Sequence, residues 1–400
     1  MTGPDGKTQR TAVPDAAWRG PARSGAEAPG TSATSSTSAA RGTFPTRAGA
    51  PLPSVDGSLV VRALGLSVRT SRRHIVVGLC LLVALLAAGT ASLNVGTLHF
   101  SAGEILAALT GHGDRRGELV ILGIRLPRLL AAYAVGACLA LSGSVFQNLT
   151  GNPLGSPDFI GFVTGAATGA IAAILGFSAG VIVVALSALG GGLLTALAVV
   201  GLSSLGGRRR SAAGGGYRLV LVGIGVGAFL GALNDLMLTR VSGEESVAAQ
   251  AWLVGSLNAR NWDVVLPCIL VCVVGLPVVM MLGRRMNALQ LGDTVAAQVG
   301  VPVLATRLTL TAVGVLLVAA ATATAGPISF VALAAPQIAW RLVGRGKPPA
   351  VCTALLGATL LAVADLLSQL LPDGAHLPVG LVTGLLGGIY LLVLLSKGNR

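Results

Sequence analysis

Charge is what this chain has least of. Only 11% of its 400 residues are Asp, Glu, Lys or Arg, against about 25% in an average soluble domain. A water-facing surface wrapped around one core is therefore excluded. Histidines number four (His74, His99, His112 and His376), and no HExxH or paired-histidine pattern occurs. None sits mid-run where it could serve as base for Ser144 of "LSGSVF", so a membrane hydrolase or zinc enzyme is disfavoured. No GxxxxGK[ST] stretch exists. "GRGKPP" at 344–349 lacks the spacing, and Pro348 removes the required hydroxyl, so the chain is not expected to hydrolyse ATP alone. The five cysteines lie in or beside apolar runs; Cys268 and Cys272 share a helix face but have no further ligands nearby, and no metal site or disulfide framework is implied.

What is abundant is apolar sequence: 53% hydrophobic residues and 56 glycines. A helix needs about 20 apolar residues to span a bilayer. Ten stretches qualify, near 75–93, 129–149, 159–177, 180–203, 219–238, 264–282, 305–325, 328–343, 350–371 and 377–395, the eighth being short. The expected fold is an all-α integral membrane bundle. The net charge of +13 is not a nucleic-acid signal, because alternate loops carry most of the basic residues and the others carry fewer of them and most of the acids. Arg208, Arg209, Arg210, Arg218, Arg284, Arg285, Arg307, Arg341, Arg345 and Lys347 occupy alternate loops, whereas Glu104, Asp114, Glu118, Glu244, Glu245, Asp263 and Asp373 occupy the others. Basic loops stay cytoplasmic, which predicts both termini inside. Residues 1–70 are expected to be a disordered cytoplasmic tail, rich in Ser, Thr, Ala, Gly and Pro to residue 60, and residues 71–400 a ten-helix domain. The first apolar run starts near residue 75, too late for a signal peptide.

Glycines recur every fourth residue at Gly161–Gly165–Gly169, Gly223–Gly227–Gly231 and Gly380–Gly384–Gly388. Such spacing makes a smooth face for close helix approach, within the bundle or at a dimer face. Two segments should break helices at membrane depth: "NLTGNPLGSPD", with Asn152 and Pro153, and "AGPIS", with Gly326 and Pro327; Pro336 then lies inside the short eighth span. Broken helices are tolerated where they face protein or a water-filled path. Mid-span acids, usual in proton-driven carriers, are scarce, since only Asp235 and Asp365 fall in spans, both near ends.

Two features call for a partner. Arg125 and Arg128 of "IRLPRLL" stand at the start of the second span, on the predicted outer face, where topology gives them no reason to be; they would hold anionic lipid head groups or an acidic external partner. Pro127 suits a helix start there. "NALQLGDTVAAQVGVP" at 287–302, between spans six and seven, reads as a short helix on the cytoplasmic side. Asp293 is its expected N-cap and Gly300 its C′ residue, with Leu289, Leu291, Val295 and Val299 on an apolar side. It carries no Lys or Arg, so docking on another protein is favoured over lying in the lipid interface.

"RLPRLLAAYAVGACLALSGSVFQNLTGNPLGSPDFIGFVTGAATGA" (125–170), "MNALQLGDTVAAQVGV" (286–301) and "AGPISFVALAAPQIAWRLVG" (325–344) resemble the iron-siderophore and vitamin B12 uptake permeases, membrane subunits of ATP-binding-cassette importers. "YRLVLVGIGVGAFLGALNDLMLTR" (217–240) resembles most the ferric enterobactin branch. The resemblance runs from about residue 75 to the end. It implies a bacterial cytoplasmic-membrane location and a partner permease, identical or paralogous. It implies two ATPase subunits that hold ATP and Mg while this chain holds no cofactor, and an external binding protein that delivers a ferric siderophore. It makes Arg125 and Arg128 docking residues, and makes Asn287, Leu289, Leu291, Gly292, Asp293, Val295, Val299 and Gly300 part of the ATPase-coupling segment. It also places the spans around 219–238 and 377–395 beside the path. Gln369, Gln337 and His376 depart from the family pattern. An ATP-independent secondary transporter or channel is the alternative.

Overall fold

In the computed structural model, residues 59–397 are described apart from 64–65, 97, 99, 159, 178–179, 205–214, 241–242, 345–347 and 371–376. Two short strands, β1 (Leu59–Ala63) and β2 (Leu66–Thr70), pair antiparallel with Leu59 opposite Thr70. A hairpin thus occupies the end of the stretch expected as tail; residues 1–58 lie outside the described residues.

Every other regular element among the described residues is helical. The long elements are α1 (Arg72–Asn94), α4 (Leu126–Thr150), α6 (Val181–Ser204), α7 (Gly215–Thr239), α9 (Trp262–Leu289), α11 (Val303–Ala325) and α13 (Ala350–Gln369). Three shorter apolar helices join them: α5 (Phe162–Phe177), α12 (Val331–Val343) and α14 (Val379–Lys397). All ten apolar stretches of the sequence are therefore helices, seven of them long and apolar enough to cross a membrane. Small helices α2 (Ala102–Leu109), α3 (Arg115–Val120), α8 (Glu244–Leu253) and α10 (Asp293–Gln298) cap the bundle.

The bundle is built around α4. Of its apolar window 83% is buried, against 17% for α7 and 28% for α1. Helices α9, α11, α12 and α13 surround it. Its sequence explains the position. Lipid tails are as apolar as leucine, so helices associate by close packing and polar contacts rather than by the hydrophobic effect. A Cβ on Gly143 would stand 1.7 Å from the Ala332 carbonyl oxygen of α12, and one on Gly136 2.4 Å from that of Gly357 in α13. Polar side chains on α4 tie into neighbouring backbones. The Ser142 hydroxyl donates to the Gly314 carbonyl at 2.7 Å, the Tyr133 hydroxyl to Leu85 at 2.7 Å, and the Gln147 amide to Leu333 at 3.0 Å.

The helix boundary near Pro127 differs from expectation. Helical structure begins at Arg115 and runs unbroken through a π-turn, Ile121–Arg125, into α4. Pro127 lacks an N–H and would disrupt a regular ladder. The π-turn, in which Leu126 N–H donates to the Ile121 carbonyl, makes the adjustment.

The glycine series divide. Gly161 packs on Gly227, Gly165 on Thr195, and Gly169 on the Ser187 carbonyl, so α5 is closed against α6 and α7. Gly380 packs on the Val254 carbonyl, but Gly231, Gly384 and Gly388 meet nothing within 4 Å. The unfilled positions lie on α7 and α14, whose exposed side chains include Leu221, Ile224, Phe229, Leu381, Leu385 and Ile389.

Replacing Gly143 by Leu should force α4 from α12 and destabilise the bundle by about 1–3 kcal/mol or more. Gly384→Leu, into open space, should leave the single chain's fold intact. Thermal melts of the two variants in detergent check this; equal melting would refute the close-approach role of Gly143.

Candidate functional site

Two clusters occupy opposite ends of α4, which at 25 residues is about 37 Å long. At its N-terminal end lie the two arginines, and the structure gives each an internal partner. Arg128 forms a two-pronged pair with Asp365 of α13: Nη2 to Oδ1 at 2.8 Å and Nε to Oδ2 at 3.0 Å. Asp365 is 1% exposed, and Gln369, one turn on, donates from Nε2 to its Oδ2 at 2.8 Å. Arg125 donates to the carbonyls of Leu93 and Leu98, both at 2.5 Å, and its guanidinium sits 5.1 Å from the centre of the Phe100 ring. Both arginines therefore tether the segment after α1 and the end of α13, which sequence reading had not foreseen. Asp365 is the signal that could have revealed it: an acid near the end of an apolar span needs a partner.

At the other end sits α10, between α9 and α11. The sequence reading needs two corrections here. The N-cap is Gly292, not Asp293; at φ 97°, ψ 152° it holds a conformation essentially reserved for glycine. Asp293 is the first helical residue, and its carboxylate accepts from Arg307 of α11 at 2.7 Å. The span-six helix also runs on through Leu289, so Asn287 and Leu289 belong to the last turn of α9. Leu289 is buried at 8% in the main core, whereas Leu291, Val295 and Val299 are exposed at 68%, 40% and 65%. The expected apolar side is thus three residues, not four. Asn287 is exposed. Gly300, at φ 83°, ends α10 as expected, with Val301 N–H donating back to Ala296. Gln290 donates to Asn148 at the end of α4, and a cavity of about 520 Å³ lined by Asn148, Leu291, Asp293 and Arg307 lies beside α10. The result is a braced knuckle: Ala296 wholly buried beneath, three apolar side chains on top.

Both helix breaks are present. Residues 151–161 separate α4 from α5, ending three residues later than the sequence pattern indicates, and 326–330 separate α11 from α12. Asn152 turns the chain by accepting from the Leu154 N–H at 2.9 Å, and the Pro153 carbonyl accepts from Gln337 of α12 at 2.5 Å. Gly326, at φ 77°, lies against the Trp252 carbonyl, the Pro327 carbonyl against Gly255, and Pro336 is buried inside α12. Gln337 thus ties the first break to α12; His376 lies outside the described residues.

Asp158, missed by sequence reading, links the breaks directly. Its carboxyl lies beside the Phe330 backbone, and its Oδ1 is buried with no partner among the described residues.

Arg128→Gln should cost about 3–5 kcal/mol, because it strands a buried carboxylate. Arg128→Met with Asp365→Leu should recover most of that loss. A double-mutant melting cycle without coupling would refute the pairing.

An all-helical bundle with seven helices long and apolar enough to cross a membrane among the described residues defines a multi-pass membrane protein. The FecCD transport family model matches residues 80–397, and the chain belongs to that family. It is 42% identical over 330 residues to the ferric enterobactin transport system permease protein FepG of Escherichia coli (strain K12), covering 82% of this chain and 98% of the relative. It is 37% identical to the cobalamin import system permease protein BtuC of Halobacterium salinarum, over 70% of this chain and 73% of that one. Among solved structures, a metal-chelate type ABC transporter in an inward-facing conformation superposes with a TM-score of 0.71 at 29% identity, over 81% of this chain and 99% of the other.

Proposed function

We propose that this chain is the membrane-spanning permease subunit of an ATP-driven importer that carries ferric siderophores, of the enterobactin type, across a bacterial cytoplasmic membrane. The observation that carries the reading is the α10 knuckle. Leu291, Val295 and Val299, within and flanking a helix too short to span, form an exposed apolar surface braced by the Asp293–Arg307 pair and by Gln290 on Asn148. A rigid apolar knob of this kind suits a groove on a partner protein. The partner is an ATPase pair holding ATP and Mg, since this chain has no phosphate-binding loop of its own. The FepG likeness supports the cargo class.

The basic loops favour a cytoplasmic α10 and cytoplasmic termini. The opposite end, with Arg125 and Arg128, then receives the siderophore-binding protein. Because Asp365 and the Leu93 and Leu98 carbonyls already engage both guanidiniums, these arginines act by shaping that surface as well as by charge. The unfilled glycine faces of α7 and α14 suit a second permease, identical or paralogous, with the path between the two. ATP-driven closure of the ATPases would pull α10, and through it α9 and α11, switching access from one side to the other. An uncharged wall suits a bulky chelate that must not bind tightly in transit.

Val299→Asp should abolish uptake in proteoliposomes containing the ATPase and binding protein, while insertion and permease pairing persist. Full transport by that variant would refute the coupling role. Uptake driven by an ion gradient without any ATPase would refute the importer reading itself. Reversing both arginines to Glu should weaken binding-protein affinity and its salt sensitivity; unchanged affinity would remove them from docking.

A further inference from the structure

Arg260 is a cation that neither the bundle nor the two clusters at the ends of α4 use. It stands in the turn between α8 and α9, two residues before Trp262, whose Nε1 donates to the Leu122 carbonyl of the π-turn at 3.0 Å. The turn is therefore at the arginine end of the molecule. Arg125 and Arg128 spend their guanidiniums on internal partners there. Arg260 commits only its Nε, to the Ser256 carbonyl at 3.2 Å. Its Nη1 and Nη2 have no partner among the described residues and keep access to solvent. Neither ion pair among the described residues includes it, and the nearest acid in sequence, Asp263, accepts from Asn261. Burial lowers the pKa of the guanidinium, with no carboxylate to oppose the shift. A partly desolvated cation whose forked donors stay free is suited to an anion with two oxygens to offer.

Three elements meet at this turn. The Ser256 N–H donates to the Ala325 carbonyl at the end of α11, at 2.7 Å, and the Gly255 carbonyl accepts from the Gly380 N–H at the start of α14, at 3.2 Å. A Cβ on Gly255 would stand 2.2 Å from the Pro327 carbonyl of the second helix break. The turn thus rests on α14, a helix assigned above to the path, and on a break. Ala259, immediately before Arg260, holds φ 53°, a left-handed conformation that a side chain disfavours, and the Asn258 N–H bonds Ser256 Oγ at 3.1 Å. Such a turn fixes where the fork stands.

We propose that Arg260 is a cargo-selecting contact at the mouth of the path, its Nη1 and Nη2 donating to the ligand oxygens of an anionic iron chelate of the catecholate class. A ferric ion ringed by three catecholate dianions keeps a net negative charge, whereas one ringed by three hydroxamates is neutral. A positive charge in a recess draws in the first and not the second. A carboxylate of the binding protein has similar chemistry, but the seating of the turn on α14 and on the break favours the cargo. The inference rests on the siderophore reading above.

The test uses the chain with its partner permease, ATPases and binding protein in proteoliposomes, with ferric enterobactin as the probe. With loaded binding protein at saturation, Arg260→Gln should lower the maximal uptake rate about tenfold, the loss expected for one charge-assisted contact. Arg260→Lys should recover most of it, which a purely structural role would not allow. The affinity of the binding protein for the permease should stay the same in both variants. Unchanged uptake in Arg260→Gln, or Arg260→Lys no better than Arg260→Gln, would overturn the assignment. So would a fall in binding-protein affinity that matches the fall in rate, which would make Arg260 a docking residue. Failure of the unsubstituted chain to take up ferric enterobactin would overturn the siderophore reading and this inference with it. Uptake by the unsubstituted chain that Arg260→Gln equals would overturn the inference alone.

Discussion

Everything in this bundle depends on how closely other helices can approach α4. Inside a bilayer no water is released when two apolar helices meet, so their association rests on short-range packing and on a few polar contacts. Gly143 lets the Ala332 carbonyl into the space a Cβ would fill, and Gly136 does the same for Gly357. Those two approaches place α12 and α13 against α4. The contacts of Ser142 and Gln147 with neighbouring carbonyls then set register, because each satisfies a backbone group on another helix.

With the centre so fixed, the two ends acquire different characters. The arginine end is held by charge: Arg128 against buried Asp365, with Gln369 sharing the carboxylate. The α10 end is held by a partly exposed pair, Asp293–Arg307, and by amides. The two breaks lie beside α4 as well. Gln337 of α12 ties to the first of them through the Pro153 carbonyl.

Much of this was legible in the chain. Run length and sparse charge revealed the ten apolar helices, seven of them long and apolar enough to cross a membrane, since a bilayer sets a minimum length for a spanning helix. Gly300 was legible as the end of α10 because a left-handed residue after a helix is a local requirement. Local reasoning failed where a distant residue intervened. Asp293 looked like a cap, yet Arg307, fourteen residues on, takes its carboxylate and Gly292 takes the cap. Leu289 looked like part of an exposed face, yet α9 continues and buries it. Pro127 looked like a helix start, yet a π-turn carries the helix through it.

By itself, then, the sequence determined the solvent this protein lives in, the number of its apolar helices, the places where they break and the family it resembles. These follow from composition and from short motifs, which act over a few residues. Only the tertiary structure decided that Arg128 faces Asp365, that α4 is the centre, that three rather than four apolar residues crown the knuckle, and that Gly384 and Gly388 stay open while Gly165 and Gly169 are filled. Those outcomes depend on which helix lies beside which. In lipid that choice rests on close fits between residues far apart in sequence, and no local pattern encodes them.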